Sequence, residues 1–200
     1  MSATDDELLQ TYARHEATVE AGDYVSYREV LAWAFRGVCH AHRVEPGADD
    51  TRAFSESVGD WPPFPDSAPA LARLAKRFRL GVITNCDDDL FALSNRKLGV
   101  TFDWVVTAQQ ARSYKPKPRG FEVAFERMGV PRDRVLHVAQ SLFHDHVPAK
   151  QLGLSTVWIN RRGDRAGFGA TPPSSATPDL TAPDMATFAR LALGEAEPSP

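Results

Sequence analysis

Four short apolar runs, each separated from the next by a helical pattern, limit most strongly what this chain can fold into. The runs are residues 80–85, 104–107, 135–139 and 156–160, and valine, isoleucine and threonine are frequent in them. A strand that is apolar along its whole length belongs in a parallel sheet that helices cover on both faces. From residue 67 onward, the sequence therefore predicts an α/β fold with a doubly wound parallel sheet.

The segments between the runs carry signals for the ends of helices. The helical pattern over residues 90–98 stops at Gly99, and the pattern over residues 118–128 stops at Gly129. Glycine directly after a helix allows the left-handed conformation that closes many helix C-termini. A last helix is expected over residues 184–193, where apolar residues return at helical spacing.

The N-terminal part of the chain shows helical patterns only. Residues 4–7 and 26–29 have the Ser/Thr-x-x-Glu form of a capping box, and apolar residues follow each of them at helical spacing. We expect a small helical cap over residues 1–62, an α/β core over residues 63–195 and a frayed tail over residues 196–200.

The net charge, the cysteine count and the lengths of the apolar runs indicate which partners and which compartment to expect. A net charge of -3 gives no reason to expect nucleic acid or an anionic membrane as a partner. The two cysteines, Cys39 and Cys86, are too few for a disulfide framework, which favours a reducing compartment. No apolar run approaches the roughly 20 residues of a membrane span, and the polar N-terminus does not resemble a signal peptide. The sequence predicts a soluble cytoplasmic protein and leaves a homodimer open.

Polar residues collect where the predicted strands end. Thr84 and Asn85 close the first run, Lys115 lies in the loop after the second, and Ser141 and Asp145 follow the third. Because ligands of open α/β sheets bind beyond the carboxyl ends of the strands, we expect these five residues to cluster. Hydroxyl and amide donors beside a fixed positive charge form a site for a small anion, such as the substrate of a hydrolase.

The order of these motifs resembles the haloacid dehalogenase (HAD) superfamily of hydrolases, and within it the type II 2-haloacid dehalogenase group. The matching segments are residues 83–85, 113–118, 137–145 and 156–161, and the resemblance extends from residue 4 to about residue 162. It implies a Rossmann-like core with a cap. It also implies catalytic roles for Lys115, Ser141 and Asp145, and substrate binding by Thr84 and Asn85.

The same resemblance raises a question about the nucleophile. In that family, an aspartate at the end of the first strand attacks carbon or phosphorus, and water then hydrolyses the covalent aspartyl intermediate. The segment that carries this aspartate precedes the cap, whereas here the first cap helix follows Met1 almost at once. We therefore expect the central strand and its nucleophile to be missing and the chain to be inactive. The alternative is a non-catalytic binding or regulatory protein that retains the anion pocket.

Three positions depart from the family pattern. Gln140 stands where the phosphatases of the superfamily carry an acidic metal ligand, and a neutral amide cannot supply the charge that holds Mg²⁺. We therefore expect no metal and no cofactor, with Mg²⁺ as the alternative if the substrate is a phosphate ester rather than a 2-haloacid. Phe121 and Leu142 replace the tyrosine and the asparagine that the dehalogenases carry. The substrate pocket is therefore expected to differ from theirs.

Each candidate residue also has a structural interpretation. Thr84, Asn85 and Asp145 could cap the helices that follow them, and Lys115 could be a solvated loop residue. His144 and His146 flank Asp145, but no third metal ligand stands at a suitable spacing. Cys86 lies near a predicted helix start, which could lower the pKa of its thiol, although a small packing residue is the simpler interpretation.

Overall fold

The computed structural model describes residues 3–165 and 169–196. The helices are α1 (Asp5–Ala21), α2 (Tyr27–Ala41), α3 (Ala48–Glu56), α4 (Ser67–Leu74), α5 (Asp88–Leu98), α6 (Ala108–Ala111), α7 (Arg119–Met128), α8 (Val147–Gln151) and α9 (Met185–Leu193). The strands are β1 (Gly81–Thr84), β2 (Trp104–Thr107), β3 (Leu136–Ala139), β4 (Ser155–Ile159) and β5 (Leu180–Ala182). A π-type turn, Leu142–His146, joins β3 to α8. None of the helices in these two ranges combines the length and the apolar character needed to cross a membrane.

The strands confirm the predicted parallel α/β architecture. β1 pairs in parallel with β2, while β3, β4 and β5 form a second parallel sheet in that order. Strand β5 was not predicted from the sequence, because it has only three residues and follows a segment rich in proline and threonine. The tail expected over residues 196–200 lies, apart from residue 196, outside the described residues.

The two sheets face each other across a gap between β1 and β3. Within the described ranges these two strands do not pair with each other, and each has a neighbour on one side only. This is the arrangement expected when a strand between them is missing from the described residues. Each of the two strands therefore presents one open edge of backbone donors and acceptors.

Helix α7 connects the two sheets below the gap. Phe121 is fully buried and packs in one cluster with Ala149 and Leu154, against Ile83 of β1. Its ring centroid also lies 5.0 Å from that of His137 in β3. The approach of α7 to β1 is close, because a Cβ atom on Gly120 would stand 3.1 Å from the Ile83 side chain. Side-chain packing thus holds the two sheets together where backbone hydrogen bonds do not.

The helices at the N-terminus begin as the sequence predicts. Both capping boxes are present, with Thr4 and Ser26 accepting the amides of Glu7 and Glu29. Helices α1, α2 and α3 occupy the range that was assigned to the cap, and the division into cap and core stays a prediction.

Charged residues from the α/β part hold the ends of the first two helices. The carboxylate of Asp87 accepts the backbone amides of Tyr27 (2.9 Å) and Arg28 (3.2 Å) at the start of α2. The ammonium of Lys117 donates to the carbonyls of Glu20, Ala21 and Gly22 at the end of α1, at 2.8–3.2 Å. Both contacts place charge where the helix dipole favours it, and they hold the end of α1 and the start of α2 against the loops that follow β1 and β2.

Candidate active site

A pocket of about 260 Å³ lies where α1 meets the carboxyl ends of β1 and β3. Three of the five residues predicted from the sequence line it, namely Asn85, Lys115 and Asp145. The remaining lining residues are Tyr12, Glu16, Glu20, Tyr27, Trp61, His144 and Ala170. A wider cleft of about 640 Å³ lies at the start of α2 and contains none of the five predicted residues.

A buried ion pair between Lys115 and Asp145 lies at the centre of the pocket. Lys115 Nζ is 2.7 Å from Asp145 Oδ1, and the two side chains are only 10% and 11% exposed. The same ammonium donates to the carbonyl of Ile83 at 2.8 Å, so Lys115 connects β1 to the turn after β3. This geometry excludes the interpretation of Lys115 as a solvated loop residue.

Asp145 is held as a carboxylate by its neighbours. His137 Nε2 donates to Asp145 Oδ1 at 3.1 Å, the oxygen that also accepts from Lys115. Burial alone would raise the pKa of Asp145, but the positive charge of Lys115 and the contact with His137 hold it well below its ordinary value. Asp145 lies inside the turn and caps no helix in the described part of the chain; His146 takes the N-cap position of α8.

Asn85 fixes the loop that carries Lys115. Its Oδ1 accepts the backbone amide of Lys115 at 2.8 Å, and its Nδ2 donates to the carbonyl of the same residue at 3.0 Å. The Nδ2 atom also donates to Glu20 Oε1 in α1 at 3.0 Å. Asn85 does not cap α5, whose N-cap is Asp87. It connects the loop that carries Lys115 to helix α1 instead.

Thr84 and Ser141 lie beside the pocket without lining it. Thr84 is the half-buried last residue of β1, between Ile83, which binds Lys115, and Asn85. Ser141 caps the turn after β3: its Oγ accepts the amide of His144 at 3.0 Å and lies 3.1 Å from His144 Nδ1. The substrate-binding role of Thr84 and the catalytic role of Ser141 stay predictions.

Two glutamates of α1, Glu16 and Glu20, line the pocket, and neither was predicted from the sequence. Glu16 Oε1 accepts the hydroxyls of Tyr12 (2.7 Å) and Tyr27 (2.8 Å). Burial, supported by the charge of Glu20, raises the pKa of Glu16 to about 7 against these two hydrogen bonds. The available signal was the spacing of Tyr12, Glu16 and Glu20 by four residues, which places them on one helix face.

Glu20 and His144 are neighbours in the lining of the pocket. The side chain of Glu20 is 3% exposed, and its Oε2 has no hydrogen-bond partner among the described residues. His144 Nε2, equally without a hydrogen-bond partner there, lies 3.4 Å from this oxygen, which is long for a hydrogen bond. Two buried polar atoms in the pocket lining, Glu20 Oε2 and His144 Nε2, are therefore unsatisfied within the described residues.

Two further candidates lose their functional interpretation. Burial raises the pKa of the Cys86 thiol to about 12, so that it is neutral and a poor nucleophile at physiological pH, opposite to a pKa lowered by a helix start. His146 Nε2 donates to the carbonyl of Ala139 at 3.1 Å and is thus used in the fold. In residues 3–165 and 169–196, no group of three or more histidine, cysteine or acidic side chains is placed to hold a metal ion.

Comparison with known proteins agrees with this fold and motif order. The family model for haloacid dehalogenase-like hydrolases matches residues 3–152. Haloacetate dehalogenase H-2 of Moraxella sp. (strain B) is 28% identical over 173 residues, which are 85% of this chain and 75% of that protein. The (S)-2-haloacid dehalogenase H-109 of Pseudomonas putida is 28% identical over 157 residues, covering 76% of this chain and 69% of that protein.

A solved structure extends the similarity to the fold. L-2-haloacid dehalogenase from Xanthobacter autotrophicus, with chloropropionic acid covalently bound, superposes with a TM-score of 0.79 at 22% identity. The match covers 94% of this chain and 86% of that one.

Proposed function

The chain belongs to the haloacid dehalogenase-like hydrolases, and we propose that its pocket binds the small organic anion of a hydrolytic reaction, with 2-haloacids as the substrate class. One observation carries this proposal: the buried Lys115–Asp145 pair bridges the carboxyl ends of β1 and β3 inside a pocket of about 260 Å³. Anionic ligands of α/β folds bind at this edge of the sheet.

Lys115 is the group that holds the substrate anion in this proposal. A lysine ammonium has three N–H donors, and two of them point to Ile83 O and Asp145 Oδ1. The third is available to a carboxylate oxygen of the substrate. Asp145 and Asn85 position Lys115, the first through its side chain and the second through its backbone.

The attacking group has to be a carboxylate other than Asp145. Asp145 is buried and its Oδ1 already accepts from both Lys115 and His137, so its role in this proposal is to position Lys115. We infer that the attacking aspartate enters on an extended strand between the open edges of β1 and β3, directly beside Lys115. Its oxygen forms a bond to the halogen-bearing carbon as halide leaves, and water then cleaves the resulting ester.

The first test measures binding and turnover separately on the 200-residue chain. We expect 2-chloropropionate to bind, with no release of halide above background and no release of phosphate from a phosphate ester. Lys115→Met should abolish binding, while Lys76→Met, which removes an exposed lysine, should leave it unchanged. Hydrolysis by the chain that Asp145→Asn or Cys86→Ala abolishes would overturn the assignment of the attacking group.

The second test adds an attacking aspartate to the chain. A strand ending in Asp-x-x-Gly-Thr, fused to the N-terminus, should give halide release that the same fusion with Asn in place of this Asp lacks. Binding without turnover in both fusions would instead favour a non-catalytic binding protein.

We propose that the reaction needs no metal. The residues near the turn after β3 do not fit Mg²⁺, because Gln140 is neutral and the Asp145 carboxylate is already paired with Lys115. Halide release by the fusion should therefore be the same with Mg²⁺ and with a chelator. Phosphate release that depends on added Mg²⁺ would favour the competing phosphatase proposal.

A further inference from the structure

The pocket contains acidic groups besides its ion pair. The charge of Lys115 is already balanced by Asp145, and the same pocket is also lined by Glu16 and Glu20 of α1 together with His144. A substrate with only a carboxylate and an alkyl chain would leave the buried Glu20 Oε2 without a hydrogen-bond partner, with His144 Nε2 3.4 Å away as its nearest polar contact. Leaving a buried carboxylate oxygen unsatisfied is unfavourable, so this part of the pocket is built to receive a hydrogen-bond donor.

The arrangement of the two glutamates favours a cationic donor. Glu16 and Glu20 repel each other enough to contribute to the raised pKa of Glu16. A positive charge placed between them relieves this repulsion, and a charge-assisted hydrogen bond to Glu20 Oε2 is stronger than one from a hydroxyl. The aromatic side chains of Tyr12 and Trp61 also line the pocket, and aromatic ring faces attract cations.

We propose that Glu16, Glu20 and His144 form a subsite for a substrate ammonium group. The substrate class is then a small acid that carries its carboxylate and reacting carbon beside Lys115 and a protonated amine beside Glu20. The inference rests on the proposed function, because it assumes that Lys115 holds the acid end. A pocket of about 260 Å³ has room for such a molecule, since a water molecule takes up roughly 30 Å³.

Three small acids that differ only at C3 test the subsite by calorimetric titration of the 200-residue chain. Lactate carries hydrogen there, glycerate a hydroxyl and isoserine an ammonium group, and none of them contains a leaving halide. We expect isoserine to bind at least tenfold more tightly than lactate, with glycerate in between. Equal affinity for isoserine and lactate, or for isoserine and glycerate, would overturn the cationic subsite while leaving the proposed function intact. Failure of all three acids to bind a chain that binds 2-chloropropionate would overturn this inference alone, and failure of 2-chloropropionate as well would remove the proposed function with it.

Variants connect the preference to the named residues. Glu20→Gln keeps the acceptor for Asn85 but removes the charge, so the ratio of the isoserine affinity to the lactate affinity should fall from at least ten to about one. Glu45→Gln makes the same change at an exposed residue after α2 and should alter neither affinity. If Glu20→Gln fails to fold, Glu16→Gln tests the same side of the pocket, with the same loss expected. An isoserine preference that survives the substitution would assign the ammonium to another group.

Discussion

The Lys115–Asp145 pair is where single substitutions should have the largest effect on stability. Both side chains are nearly buried, and Asp145 keeps its charge because Lys115 and His137 contact it. Removing one member of a buried pair leaves the other charge uncompensated, which typically costs about 3–5 kcal/mol. We expect Lys115→Met to lower the free energy of unfolding, measured with urea, by an amount in this range.

An exposed pair provides the matched control for that measurement. Arg119 and Glu122 are 3.1 Å apart in α7, with side chains 49% and 44% exposed. Water screens such exposed pairs, so Arg119→Met should have little effect on the free energy of unfolding. Equal losses from the two substitutions would contradict the view that Lys115 compensates a buried charge.

Glu16 should make the stability of the protein depend on pH. Its pKa is about 7 in the fold and 4.5 in a free side chain, because burial and the charge of Glu20 favour the neutral form. The folded chain thus holds a proton that the unfolded chain has released, so stability falls as the pH rises from about 4.5 to about 7.

The measurement is the urea unfolding free energy of wild type and Glu16→Gln at several pH values. Glutamine cannot titrate, so the difference between the two proteins should shift against wild type from pH 5 to pH 8. Taking the difference cancels the opposite contribution of His146, whose pKa burial lowers. A difference that is constant across this range would show that Glu16 is already ionised in the fold.

At the scale of single residues, the sequence predicted which residues lie near each other, but it did not predict the hydrogen bonds between them. Asn85 and Lys115 could be placed near each other because both follow strands of one parallel sheet. That Asn85 holds the backbone of Lys115 could not be predicted, because it depends on the path of a loop 30 residues away. Glu20 was missed for the same reason, since its partners Asn85 and His144 are more than 60 residues distant.

Among the secondary-structure elements, α2 depends on a cap from far along the chain. Asp87 occupies the N-cap position of α5, but its side chain makes no capping bond there, and the carboxylate instead accepts the amides of Tyr27 and Arg28 at the start of α2. Loss of an N-cap typically costs about 0.5–2 kcal/mol. We expect Asp87→Ala to lower the unfolding free energy by an amount in the upper part of this range and to accelerate amide exchange in the first turn of α2.

Asp89 is the natural control for that experiment. It forms an ion pair with Arg28 at 2.7 Å, but its side chain is 66% exposed and it accepts no amide of α2. Asp89→Ala should therefore change stability by less than about 1 kcal/mol. If both substitutions have the same effect, Asp87 acts on α2 through Arg28 rather than through the backbone.

Helix α1 shows why apolar periodicity alone misplaces a functional helix. The pattern that begins at Leu8 and Leu9 predicts that these residues face the core, yet they are 37% and 38% exposed. The buried face carries Glu16 and Glu20 instead. Carboxylates can be buried there because Tyr12, Tyr27 and Asn85 donate hydrogen bonds to them, and a single helix cannot reveal these partners.

At the scale of the whole molecule, the unpaired edges of β1 and β3 limit the stability of the fold. Helix α7 and Lys115 connect the two sheets through side chains, but the sheets share no backbone hydrogen bonds in the described ranges. The order of strands and helices was predictable, because buried parallel strands have a distinct composition. The gap was predictable only through the family resemblance, because no property of β1 or β3 alone reveals a missing neighbour.

The gap leads to a prediction about folding. Each backbone group that is buried without a partner costs about 1–3 kcal/mol, and a few of them equal the ~5–15 kcal/mol stability of a typical domain. The 200-residue chain on its own should therefore stay folded at room temperature but unfold over a broader temperature range than the same chain with a strand fused to its N-terminus, and it should bind a hydrophobic dye at the unpaired edges of β1 and β3. A strand fused to its N-terminus should pair with β1 and β3, sharpen the thermal transition and reduce dye binding. The same strand with a central proline, which lacks the N–H needed for pairing, should not do so. A sharp two-state transition of the unfused chain without dye binding would show that α7 and the Lys115–Asp145 bridge alone suffice to join the two sheets.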